Sequence, residues 1–257
     1  MKALNHHLKH TYPYYAHLKE GHKETLEEHS RLTFSYYHKL MNQTQDSSAI
    51  IVALKDYLEK CGIENQIVYE AAKILFENAI ILHDIGKINK NFQIEKMKNS
   101  YFGNTVTEDS FHSIYSALMY LHILKEQTIA KQYNKNEQQL LMKLWFNFAY
   151  VISRHHGYLN SLEKFEEAIR LAIEKVEDDH SLIGEYTEID MLIKDKRQLL
   201  YMVNKVIRSK GSSTPKADLS LWFLCKTLFS LIVTCDFYAT GEYMSAFEIN
   251  HFGGIED

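Results

Sequence analysis

Scarcity of turn residues constrains this chain more than any other feature. Its 257 residues include two prolines and ten glycines, and the one Gly/Ser/Pro cluster is KGSSTP at 210–215. Antiparallel strands are joined by tight turns that draw on glycine and proline, so an all-β chain of this length would carry many more. A mainly helical fold is therefore expected, and the single cluster is too short to mark a domain boundary. The chain reads as one all-α globular domain over 1–257, with a core from about 12 to 245.

Composition narrows the class. An apolar share of 46% with 24% charged residues is that of an ordinary soluble protein, long enough to bury a sizeable core. The formal charge of −4 offers no global attraction to nucleic acid, although bound divalent cations would change the local field. Cys61, Cys225 and Cys235 are odd in number and lack CxxC spacing, which predicts reduced core thiols and a cytoplasmic protein. MKALNHHLKH has no apolar segment of the kind a secretory signal needs. The most apolar stretch, Leu219 to Tyr238, contains Lys226 and Asp236, so a buried core helix is expected and no membrane span.

Apolar periodicity predicts helices over 25–41, 48–60, 66–83, 109–127, 136–153, 161–178, 188–208 and 217–237. The first opens on Thr25 with Glu28 three residues later, a capping-box pattern. The third is apolar on most of its circumference, as a central helix should be, and Gly86 marks its expected stop. Asn99 to Thr107 reads as a loop.

Chemistry enters with fourteen histidines. His83-Asp84 stands at the expected end of the third helix, followed by Ile-Gly-Lys; on a helix the two side chains lie ~100° apart and can face one cleft. Imidazole suits transition metals, and a carboxylate can bridge two ions. The HD dipeptide alone is common by chance. Here it is joined by His29 in EEHSRLT, His112-Ser113 in HSIYSA, His155-His156 in SRHHGYL and Asp236 in TCDFYAT. Taken singly, His29 reads as a surface histidine and Asp236 as a helix-terminal cap, and the tandem His6-His7 carries no role. Taken together, the seven make a ligand set, because ligation offsets the cost of burying so many ionisable groups.

These motifs, in this order, resemble the HD nuclease domain of type I CRISPR systems, the nuclease part of the CRISPR-associated nuclease-helicase. The resemblance runs from about residue 12 to residue 245 through YAHLKEGHKETLEEHS, HDIGKINKNFQ, HSIYSA, SRHHGYL and CDFYAT. HDIGK would fit any HD hydrolase; Asn89, Phe92, Gln93, His112-Ser113 and His155-His156 point to the CRISPR branch. The resemblance implies an HD-superfamily helical fold and two ions. His29, His83, Asp84 and Asp236 would hold one, and Asp84 would bridge to a second held by His112, His155 and His156. Mixed His/carboxylate ligation favours Mn, Fe, Co or Ni over Mg.

The activity so implied is metal-dependent cleavage of single-stranded DNA by two-metal phosphodiester hydrolysis, with Asp84 and Lys87 as catalytic residues. Lys87, Lys90 and Ser113 are the expected substrate contacts. KINKNFQIEKMK (87–98), with Phe92 as a stacking surface, is a candidate backbone-binding patch; KVIRSKGSSTPK (205–216) reads more readily as a solvated face. No GxxxxGK[ST] loop occurs, so a separate or fused helicase would be a partner, with an RNA-guided surveillance complex that exposes a displaced strand. Two competing readings share the ligands: a phosphohydrolase acting on nucleotides or cyclic dinucleotides, and a binding module without turnover.

Overall fold

The computed structural model describes residues 13–43, 47–106, 110–178, 189–209 and 214–250. Among these the chain opens with a two-stranded antiparallel hairpin, β1 (Tyr15–Lys19) and β2 (His22–Thr25). Ten helices follow: α1 (Leu26–Gln43), α2 (Ser47–Lys60), α3 (Gln66–Ile81), α4 (Lys90–Glu95), α5 (Ser113–Leu124), α6 (Glu126–Ile129), α7 (Lys135–Ser153), α8 (Leu162–Asp178), α9 (Ile189–Arg208) and α10 (Pro215–Ser245). Short 3₁₀ turns lie at Ile85–Ile88 and Ser100–Phe102. The all-α expectation holds, with the hairpin as its one exception among the described residues.

Helices α3, α5 and α7 form the centre, where Phe76, Tyr120, Trp145 and Phe148 are wholly buried. Their polar tips are satisfied: Tyr120 Oη donates to the Leu75 carbonyl at 2.9 Å, and Trp145 Nε1 donates to the Leu121 carbonyl at 3.1 Å. Truncating an aromatic ring in such a core costs about 3–5 kcal/mol. Around this centre α10 lies against α1, α2, α3 and α7. By length and composition alone α10 is apolar enough to cross a membrane, but 39% of its most apolar window is buried against these neighbours. Only its inner face belongs to the core; Leu219, Trp222, Phe223 and Phe237 on the outside are exposed.

Local signals account for several boundaries. The Thr25 hydroxyl accepts from the Glu28 amide at 3.2 Å, and Glu28 returns a carboxylate oxygen to the Thr25 amide at 2.9 Å, so the capping box opens α1 as expected. Asn134 and Glu137 form another at α7. Thr214 caps α10 with Pro215 in its first turn; residues 210–213 of KGSSTP lie outside the described residues.

Three expectations need correction. α10 continues nine residues past Asp236, which is interior to the helix and caps nothing. α3 ends at Ile81, so His83 and Asp84 sit in the turn beyond it and the 100° helical offset does not apply. Gly86 therefore does not stop the helix. It is glycine because α5 docks there: a Cβ would overlap the His112 carbonyl oxygen and stand 2.5 Å from the Ser116 amide nitrogen. The Gly86 amide donates to Ser116 Oγ at 2.8 Å across the same contact. Gly86→Ala should thus push α5 away from the His-Asp turn. Overpacking of this kind costs roughly 1–3 kcal/mol or more, a fall in melting temperature of several degrees; an unchanged thermal melt would refute this tight contact.

Candidate metal centre

Two helices that end at the site end in the same way. At the C-terminus of α3, His83 Nδ1 donates to the Ile80 carbonyl at 2.8 Å. At the C-terminus of α7, His155 Nδ1 donates to the Ile152 carbonyl at 2.7 Å. Each imidazole donates to a carbonyl in the last turn of its helix, three residues back, where intrahelical partners run out. With Nδ1 carrying the proton, each Nε2 is left as a bare lone pair aimed inward. The carbonyl ends of both helices also present partial negative charge to the same region, which favours cations.

Asp84 stands between them, 1% exposed, with its two oxygens facing opposite ways. On one side Oδ2 lies 3.3 Å from His29 Nε2 and 3.4 Å from His83 Nε2, while Asp236 Oδ1 lies 3.1 Å from the same His29 nitrogen. On the other side Oδ1 lies 3.1 Å from His112 Nε2 and 3.3 Å from His155 Nε2. His156 Nε2 comes within 2.9 Å of His112 Nε2. All seven residues singled out from the sequence are thus brought together, in two groups of four that share Asp84. His29 arrives from the first turn of α1, His112 from the N-cap of α5, and Asp236 from the side of α10.

These groups fit divalent ions. His83 Nε2, His155 Nε2 and both Asp84 oxygens are buried without a well-aligned hydrogen-bond partner. Buried polar atoms are rarely left so, and here the unpartnered ones converge on two points. Lys87 Nζ, 2.7 Å from Asp84 Oδ2, supplies charge compensation without a directed hydrogen bond.

The protonation states bear this out. Burial would raise the Asp84 carboxyl, but Lys87 and the surrounding histidines hold it well below the usual carboxylate range. Burial likewise opposes ionisation of Asp236, and His29 and His83 reverse it, so this group too is held anionic. Burial lowers His112 to about 4 and His156 to about 3, leaving both neutral and able to ligate. His29 differs. Burial pulls it down, yet Asp236, Asp84 and Glu24 together lift it to about 10.

Lys87 is not the exposed lysine that its place after a helix would suggest: it is 4% exposed, also 3.4 Å from the Ala16 carbonyl, and still lines the groove beside the centre. Ser113 lines that groove as well; Lys90, at the start of α4, does not. Phe92 is corrected from a stacking surface to a buttress. It is 7% exposed and packs edge-on against His112 at 5.0 Å between ring centroids. Asn89 and Gln93 acquire structural roles: Asn89 Nδ2 donates to the Phe111 carbonyl at 3.1 Å, and Gln93 Nε2 donates to the Lys87 and Tyr15 carbonyls at 2.7 and 2.8 Å.

Sequence reasoning missed Glu24, His17, Arg154, Phe111 and Tyr158. Glu24 is 3% exposed, and its Oε2 accepts from His17 Nδ1 at 2.7 Å and lies 3.3 Å from His29 Nδ1. Arg154 lines the groove with a buried Nε that meets no acceptor among the described residues. Phe111 and Tyr158, 70% and 74% exposed, stand on the groove's wall next to His112 and two residues from His156. The one signal that pointed to them was their adjacency to the histidine motifs.

An imidazolium cannot ligate, so an ion entering the group around His29 at neutral pH must displace a proton. In the metal-free chain the His29 contribution to stability is full below its ordinary pKa of 6.5 and lost as pH rises through about 10. Mn²⁺ affinity should therefore increase as pH rises toward that value. Calorimetry in buffers of different ionisation enthalpy should register about one proton released on loading that group. Binding with no buffer dependence would contradict this.

A family model describing the HD domain of Cas3 matches residues 21–239, most of the chain and every residue of the two four-membered groups. Comparison with the curated proteins and with the solved structures returned no match. The chain therefore belongs to the Cas3 HD-domain family, the HD-type nucleases of CRISPR systems.

Proposed function

We propose that the chain cleaves single-stranded DNA by two-metal phosphodiester hydrolysis, with one ion in each group around Asp84. The observation that carries the two-ion reading is the opposed pair of Asp84 oxygens, buried and without a directed hydrogen bond, each facing its own set of imidazole nitrogens. Mixed imidazole and carboxylate donors favour Mn, Fe, Co or Ni over Mg. When bound, paired ions supply Lewis acidity at the scissile phosphate and a water nucleophile of lowered pKa.

The protein's own groups supply position. Lys87 holds Asp84 in place and lines the groove, where its ammonium neutralises charge developing on a phosphate oxygen. Ser113, in the first turn of α5, and Arg154, whose side chain lines the groove, offer donors to the phosphates on either side. The groove has a volume of about 1040 Å³ and is walled at the surface by Phe111 and Tyr158. A single mononucleotide would not need that breadth. Exposed aromatic faces beside cationic side chains suit a strand whose bases are unpaired and free to stack. In this reading a separate or fused helicase and an RNA-guided complex deliver the strand, in the cytoplasm.

The test is cleavage of circular single-stranded DNA by EDTA-stripped protein resupplied with Mn²⁺, Ni²⁺, Co²⁺, Fe²⁺ or Mg²⁺. Nicking should return with a transition metal, and His83→Ala or Asp84→Ala should abolish it without loss of folded structure. Turnover of mononucleotides in place of DNA would favour the nucleotide phosphohydrolase. Phe111→Ala and Tyr158→Ala should each raise the KM for DNA roughly 5- to 160-fold, the range of one lost base stack. Turnover of bis(p-nitrophenyl) phosphate should be unchanged in both; equal losses on the two substrates would contradict base stacking.

A further inference from the structure

The hairpin at the start of the chain delivers one buried carboxylate to the back of the metal centre. Glu24 is on β2, 3% exposed, and its Oε2 faces Nδ1 of His29, the nitrogen turned away from Asp84 and Asp236. The ligand histidines His83 and His155 have Nδ1 bonded to backbone carbonyls, whereas His29 Nδ1 meets no such acceptor and lies 3.3 Å from Glu24 Oε2, an ion-pair contact short of a well-aligned hydrogen bond. His29 sits in the first turn of α1, and the hairpin places a carboxylate, Glu24, beside its Nδ1.

Glu24 is itself held. His17 Nδ1 donates to the same Oε2 at 2.7 Å, and His17 Nε2 reaches Lys87 Nζ at 3.4 Å and Thr240 Oγ1 at 3.5 Å. Thr240 in turn donates to Asp236 Oδ1 at 3.3 Å. The chain of contacts therefore leaves the centre through His29, passes through Glu24 and His17, and re-enters at Lys87 and Asp236. A shift in pairing register between Tyr15 and His17 interrupts the ladder where β1 turns His17 toward Glu24. Gln93 Oε1 accepts from the Tyr15 amide at 3.0 Å while its Nε2 donates to the Lys87 carbonyl, fixing the hairpin to the His-Asp turn.

We propose that Glu24, braced by His17, is a positioning residue for the ion held by His29, His83, Asp84 and Asp236: it fixes the proton of His29 on Nδ1 and so directs the Nε2 lone pair at that ion. The proposal rests on the two-ion reading. A carboxylate behind a ligand histidine sets its tautomer and raises its basicity, and its loss weakens metal binding 10- to 100-fold in comparable settings. The ion on the far side of Asp84 has no ligand in contact with Glu24 and should be indifferent to it.

Calorimetric titration of the metal-free protein with Mn²⁺ tests this without reference to turnover. The intact chain should bind two ions. Glu24→Ala should weaken one binding step about 10- to 100-fold and leave unchanged the step that His156→Ala abolishes. Glu24→Gln, which keeps the shape and an acceptor oxygen, should lose less, and His17→Ala should weaken the same step by a smaller factor than Glu24→Ala. If the intact chain binds fewer than two ions, the two-ion reading fails and this inference with it. If it binds two and both Glu24 variants keep both affinities, even with a lowered metal-free melting temperature, Glu24 is a fold residue only and the inference alone is overturned.

Discussion

One buried carboxylate facing two ways is the constraint around which this molecule is arranged. Asp84 is almost fully shielded from water, and its oxygens approach His29 and His83 on one side and His112 and His155 on the other. An isolated carboxylate so placed would shift its pKa and take up a proton. Lys87 at 2.7 Å and the ring of imidazoles keep it ionised. Everything that delivers those imidazoles has to hold them in register with the two oxygens. Hence the absence of a Cβ at Gly86, where α5 meets the turn, and the anchoring of that turn by Gln93.

Helix ends divide the labour of the site. The carbonyl ends of α3 and α7 meet at the histidines, where positive charge is stabilised, and the amide end of α5 opens on the groove beside Ser113, where an anion is. The two capping histidines, His83 and His155, serve structure and chemistry at once. Each closes its helix through Nδ1 and offers Nε2 to the centre, so replacing either removes a ligand together with one helix-end hydrogen bond.

Much of this was legible in the sequence. The helical class followed from the scarcity of turn residues, α3 and α7 from apolar runs, and the start of α1 from Thr25 and Glu28. The seven candidate ligands were recognisable as a set because several stand at the end of an apolar run, and the fold gathers all of them. The hairpin was not legible, since YAHLK and HKET lack strict alternation and the two-residue turn between them is Glu20-Gly21, without the Asn or Asp that usually precedes such a glycine. Its pairing is sustained from outside by Gln93, which is 78 residues from Tyr15. The role of Phe92 and the position of Asp236 at a helix end were misjudged for a related reason. Whether an aromatic ring is exposed, or a carboxylate lies inside a helix, depends on partners distant in sequence, here His112 for Phe92 and His29 for Asp236.

The most direct measurement of the central claim is anomalous diffraction from crystals of the protein soaked in Mn²⁺. Two peaks about 3.5–4 Å apart, one on each side of the Asp84 carboxylate, are predicted: one within coordination distance of His29, His83 and Asp236, the other of His112, His155 and His156. A single peak at full occupancy, or two peaks that do not share Asp84, would contradict it.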